Sequence, residues 1–254
     1  MRRPVLVVLA LVAAGCSGAS GMGPAGSSTL TVFAASSLSA AFDRIGSEFT
    51  AAHPGITVSF NFGSSTDLAS QIQSEGTADV FASASGTAMD SLQSDPGVTD
   101  RTDFATNRLV IITPPGDPAG IVSIRDLARS GVQLVLAAEG VPVGDYARQA
   151  LTSAGIAREA IRNVVSNEDD DASVVAKVTS GEADAGIVYT SDVVAAGSAV
   201  RSVVIPAPMN VVVSYPIAVV TGSRQVDAAR SFVSEVAGPT GQATLKDFGF
   251  GPPG

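Results

Sequence analysis

From residue 29 onward the chain alternates short apolar runs with segments whose apolar residues recur every three or four positions. The run LTVFAA at 30–35 reads as a buried strand, and Leu38, Ala41, Phe42, Ile45 and Phe49 then mark one face of a helix that stops at His53, Pro54 and Gly55. Residues 57–62 alternate, with Val58, Phe60 and Phe62 on one side of a second strand. A helix burying Leu68 and Ile72 follows, and Ser64 and Asp67 before it have the spacing of a capping box. A third strand over 78–83 and a third helix over 87–92 complete a βαβαβα rhythm, which predicts a parallel sheet flanked by helices.

A second block repeats the alternation. Strands are predicted over 108–113, 133–137, 163–166, 185–190, 203–205 and 214–220, with helices over 124–128, 145–154, 172–179, 225–236 and 240–248. The block reads as an insertion into the first: 29–107 with 213–254 form one lobe and 108–212 the other, joined by crossing segments near 106–112 and 208–215. In open α/β sheets ligands bind beyond the C-terminal strand ends, where helices begin. Four strand-to-helix turns meet that description: ASSL at 35–38, GSSTDL at 63–68, EGVPVGD at 139–145 and SNEDDD at 166–171. A helix start carries unpaired N–H groups and partial positive charge, and a serine there adds a hydroxyl. Two such starts aimed at one point make an anion cradle, although each serine alone is also an ordinary cap.

The N-terminus changes the picture of where the protein works. Arg2 and Arg3 precede an apolar run over 5–14, and Ala13, Ala14 and Gly15 lead into Cys16. This pattern predicts an export signal over 1–15, too short to span a bilayer. Cys16 is the only cysteine, so no intramolecular disulfide forms; its position resembles a lipoprotein box, with Ala13 where such boxes most often carry leucine. Lipidated Cys16 and a flexible tether over 16–28 would hold the folded part at the outer face of the membrane. The run GMGPAG at 21–26 matches a dinucleotide fingerprint by letters only: no strand precedes it and a proline interrupts it.

Charge and composition narrow the chemistry. The 254-residue chain carries a formal net charge of −9 and no Lys/Arg cluster, which argues against nucleic acid. Any anion must be held by short-range donors, because the global field repels it. Tryptophan is absent, which argues against a stacked carbohydrate platform. His53, the only histidine, sits in a turn, and no G-x-S-x-G elbow, P-loop or H-E-x-x-H motif occurs, so the sequence reads as non-enzymatic. Glu168 to Asp171 lack the spacing of a calcium loop and complement a helix dipole instead; no resident metal cation is expected. A metal-dependent extracytoplasmic enzyme remains the alternative that these aspartates would favour, and a structural lipoprotein the one that an exposed apolar patch would favour.

VFAASSL at 32–38, FGSS at 62–65, LASQI at 68–72, ADVFAS at 78–83, VPVG at 141–144, GIVYTSD at 186–192, YPIAVV at 215–220 and FGF at 248–250 occur in order and in register with a known family. The chain resembles the molybdate-binding proteins of ABC importers, from about residue 29 to residue 250. The resemblance implies a type II periplasmic-binding-protein fold, two α/β lobes each with a mostly parallel sheet, and capture of molybdate or tungstate in the cleft. It implies delivery to a membrane permease by a monomer without a cofactor. The residues it implies as ligands are Ser37, Ser65, Tyr189 and the backbone N–H groups of Val143 and Asp171, with Ser36 and Ser64 as less favoured neighbours. Asp171 departs from the family, which commonly carries an apolar residue there. A fully deprotonated oxyanion suits a site made only of donors, whereas hydrogen phosphate leaves its own proton unpaired in one. Sulfate is equally donor-free, so a sulfate-binding protein stays the alternative within this class.

Overall fold

In the computed structural model, residues 28–92 and 96–254 are described; the expected export signal, Cys16 and all but the last residue of the tether lie outside them. Strand β1 (Ser28–Ala35) runs parallel to β2 (Ile56–Gly63) on one side and to β3 (Val80–Ala82) on the other. Helix α1 (Ser39–Ala52) covers this sheet with Ala41, Phe42, Ile45 and Phe49, and α2 (Ser65–Glu75) covers it with Leu68, Ala69 and Ile72. These are the positions the 3.6-residue period picks out. Gly76 ends α2 at φ 61°, a left-handed conformation that glycine adopts without steric cost. A short α3 (Gly86–Asp90) follows β3. The ring of Phe232 stands edge-on to Phe42 and Phe49, at 5.9 and 5.3 Å between centroids, and fastens α1 to α8 (Val226–Ala237).

Strand β4 (Val98–Thr113) is far longer than the sequence pattern predicts. Its first half is mostly exposed and polar and carries register shifts between Thr99 and Thr102 and between Asp103 and Ala105, so no apolar period betrays it. That half pairs antiparallel with β9 (Val212–Val220), from Val98 opposite Val220 to Arg108 opposite Val212. From Leu109 the same strand pairs antiparallel with β7 (Ala185–Tyr189), and from Val110 with β8 (Arg201–Val204). Its partners change after Arg108.

Beyond that point β5 (Leu134–Ala137) lies between β7 and β6 (Val164–Glu168), parallel to both. The strand order is β2-β1-β3-β9-β4-β7-β5-β6, with β8 on β4. The outer pairings are parallel, as the alternation predicts. The central ones are antiparallel because β4 and β9 cross between the halves in opposite directions. Helices α4 (Pro142–Ser153), α5 (Ala157–Arg162), α6 (Asp171–Thr179) and α7 (Thr190–Ala196) pack on this half, and α9 (Pro239–Asp247) follows α8. The segment predicted as a helix over 124–128 is a 3-10 turn. Helix α4 starts at Pro142, before the predicted position 145, because a proline at the first helical position has no N–H to lose. No described helix is long and apolar enough to cross a membrane.

Candidate functional site

The C-terminal ends of β1, β2, β5, β6 and β7 deliver their following residues to one small buried cavity of about 10 Å³. From the first half it is walled by Ser36, Ser64 and Ser65, and from the second by Val143, Asp171 and Tyr189. Ten cubic ångströms holds about one water, so the walls stand nearly in contact across the cavity. The wall carries no Lys, Arg or His. Its positive character comes from the first turns of α2, α4 and α6, whose N–H groups have no intrahelical acceptor.

Local packing explains the convergence. A Cβ on Gly144 would stand 2.2 Å from the Ala138 carbonyl oxygen and 2.5 Å from that of Ala137. Only glycine lets the start of α4 approach the end of β5 this closely, which seats Val143 in the cavity wall. Thr66 Oγ1 donates to the Gly140 carbonyl at 2.7 Å and ties the start of α2 to the loop before α4. Within the aspartate run, Asp170 caps α6 by accepting from the Ser173 N–H at 2.8 Å. Of Asp169, Asp170 and Asp171, only Asp171 lines the cavity.

The hydroxyls divide into committed and free. Ser65 Oγ accepts from the Ala84 N–H at 2.9 Å. Ser37 Oγ shares a hydrogen bond of 3.0 Å with Tyr215 Oη and does not reach the cavity wall; its neighbour Ser36 does, donating to Asp171 Oδ1. Ser64 occupies the cap position of α2 but caps nothing with its side chain, contrary to the capping-box expectation. Its Oγ is buried without a hydrogen-bond partner, as are Tyr189 Oη and Asp171 Oδ2. Among the described residues four side chains hold such an orphan atom, and three of the four line this cavity, the exception being Arg148. Buried polar atoms are almost always paired, so this clustering makes the cavity the candidate binding site.

The electrostatics follow from burial. Desolvation, reinforced by the nearby Tyr215, pushes the Tyr189 phenol well above its usual value, so it stays an O–H donor at neutral pH. Desolvation also raises the Asp171 carboxyl. Asp192, at the start of α7, is raised well above the carboxylate range by desolvation and then by the Asp171 charge. Its Oδ2 accepts from the Tyr189 N–H at 2.8 Å. Neither Asp192 nor Tyr215 was singled out as a site residue by the sequence, although both lie in its motifs. The signal available for Asp192 was its place three residues after Tyr189, which required recognising α7. The only histidine lies elsewhere: His53 stacks on Phe49 at 4.0 Å between ring centroids. Among the described residues, no three His, Cys, Asp or Glu side chains gather to hold a metal ion.

Comparison with known proteins places this architecture. A family model described as bacterial extracellular solute-binding protein matches residues 30–251. The molybdate-binding protein ModA of Mycobacterium tuberculosis is 39% identical over 252 residues, 98% of this chain and 95% of that protein. ModA of Escherichia coli is 31% identical, over 87% of this chain and 88% of that protein. The solved periplasmic molybdate-binding protein of Azotobacter vinelandii has a TM-score of 0.79 at 22% identity, covering 89% of this chain and 100% of that one; this likeness is one of fold.

Proposed function

The chain belongs to the bacterial extracellular solute-binding proteins, and from that premise we propose that it captures molybdate or tungstate in the cavity for an ABC-type permease. It is an exported binding protein, not an enzyme. The observation that carries the reading is the cluster of orphaned polar atoms at a site walled by three helix starts and lacking any cation. Such a site recognises a small oxyanion by hydrogen bonds alone. Ser65, Tyr189 and the N–H groups of Val143 and Asp171 are assigned as donors, with Ser64 and Ser36 beside them. We assign Ser37 a supporting place, because its hydroxyl is engaged by Tyr215.

We further assign 29–107 with 213–254 and 108–212 as two lobes that hinge on β4 and β9, where β4 exchanges partners after Arg108. Opening there admits the anion, and closing excludes water. Cys16 carries the lipid anchor, and the monomer presents its closed form to the permease. A thermal-shift and calorimetry panel of molybdate, tungstate, sulfate and phosphate tests this. Molybdate and tungstate at a hundred times Kd stabilise the fold by about 2.7 kcal/mol, and Tyr189→Phe and Ser65→Ala reduce both the shift and the affinity. Binding of sulfate in preference to molybdate would replace the ligand, and silence toward all four would remove the reading.

A further inference from the structure

Asp171 places a carboxylate inside a site otherwise built from donors. It is 5% exposed, its Oδ1 is held by Ser36, and its Oδ2 has no N–H or hydroxyl donor, the Asp192 carboxyl standing beside it as a second acid. The groups facing it are Asp170 on its own helix, Asp192 on α7, Tyr189 on β7 and Tyr215 on β9, with Tyr146 on α4 near Tyr189; none is a cation. A dianion entering beside an ionised Asp171 would meet a like charge in a desolvated cavity, where such repulsion is strongest. The oxyanion has no hydrogen to offer that carboxylate. One change relieves both problems: a proton on Asp171 turns it from an acceptor into an O–H donor.

We propose that Asp171 is a specificity-determining residue that binds the oxyanion as a neutral acid, so that anion capture is coupled to uptake of one proton from solvent. The inference rests on the function proposed above. In the free cleft the Asp171–Asp192 pair carries one proton between its two carboxyls, and Asp171 accepts from Ser36. On binding, a second proton adds to the pair, and the Asp171 hydroxyl donates to the anion. Burial raises both carboxyls, which is the direction that favours the added proton. The two sites titrate as a unit. Linkage is reciprocal: the anion strengthens proton binding by the factor by which the proton strengthens anion binding. Selectivity follows, because the Asp171 hydroxyl needs an acceptor, which every oxygen of a fully deprotonated anion offers, whereas hydrogen phosphate brings a proton for which a donor-lined site has little use.

The test is calorimetry of molybdate binding to the exported chain in buffers of different ionisation enthalpy, together with Kd from about pH 6 to about pH 8.5. Wild type is expected to take up ~1 proton per molybdate in the upper part of this range and to lose affinity by up to about tenfold per pH unit. Asp171→Asn keeps the size and supplies a permanent neutral donor, so it abolishes proton uptake and flattens the pH profile. Asp171→Val also abolishes uptake and binds more weakly than Asp171→Asn, which covers the case of an amide that disturbs folding. Asp192→Asn retains uptake, because Asp171 still titrates. Molybdate binding without proton uptake, or uptake that survives Asp171→Asn, overturns the proton coupling and leaves the proposed function standing. Binding of phosphate but not molybdate makes Asp171 an acceptor and overturns both.

Discussion

Two aspartates are buried to nearly the same degree, Asp79 at 8% and Asp171 at 5% exposure, and the fold treats them in opposite ways. Asp79 Oδ2 accepts from the Thr31 N–H at 2.8 Å and Oδ1 from the Ser223 hydroxyl at 2.6 Å. Its own N–H reaches the Thr31 carbonyl and its carbonyl takes the Val220 N–H, so one residue knots β1, β3 and the end of β9. Asp171 has one oxygen on Ser36, and the other has no donor and faces a second carboxyl, that of Asp192. A carboxyl is buried cheaply only where each of its oxygens has a partner. The first aspartate belongs to the fold, and the second is left unfinished by the fold and is completed only by what binds.

Breaking the contrast at its strong end has the largest effect. Asp79→Ala is expected to lower stability by about 2 kcal/mol in urea unfolding, since it strands a part-buried N–H and a part-buried hydroxyl. A loss no larger than that of a surface substitution would erase the distinction. At the other end, Asp171→Val is expected to raise the stability of the ligand-free protein at pH 8 by about 1 kcal/mol, through removal of an incompletely solvated carboxylate. The same variant flattens stability against pH. The folded carboxyls of Asp171 and Asp192 are raised above the usual 3.8, so the native chain keeps their protons after the unfolded chain has shed them. Their contribution is therefore full below that value and is lost as pH rises through the raised folded values. Wild-type melting temperature should fall across that window, and the fall should shrink in Asp171→Val and Asp192→Asn; an unchanged slope would contradict it.

The paired serines sharpen the contrast further, with smaller effects. Ser65→Ala removes the acceptor of the Ala84 N–H and is expected to cost about 1 kcal/mol. Ser64→Ala removes a hydroxyl that the fold does not use, so stability should hold within about 0.5 kcal/mol. Both should weaken molybdate at least ~10-fold, the worth of one hydrogen bond to a charged ligand. Parallel chemical denaturation and calorimetry separate the two outcomes. Equal stability losses would mean that the Ser64 hydroxyl is part of the fold after all.

Much of this could be read along the chain. Buried faces of α1 and α2, the strands at 30–35, 57–62 and 78–83, and the turns that wall the cavity follow from apolar period and turn chemistry, which are local properties. The first half of β4 could not be read, because Thr99 to Asp103 are polar and bulged and are held by pairing with β9 more than a hundred residues away. Helix α7 was hidden because it begins on the residue after β7 ends. Asp192 was hidden with it.

The sequence by itself determined the alternating α/β rhythm, the absence of a Lys/Arg cluster or a catalytic motif, and the serine, tyrosine and aspartate positions at strand ends. These follow from composition and spacing alone. Only the tertiary structure decided that Ser36 lines the cavity where Ser37 does not, that both Ser64 and Ser65 do, that Ser37 is engaged by Tyr215, and that Asp171 turns inward toward Asp192. The reason is physical: a hydroxyl or carboxylate at a helix start can turn toward its own backbone, a distant side chain or the cleft at similar cost. Long-range packing breaks that near-degeneracy, and no local pattern records its choice.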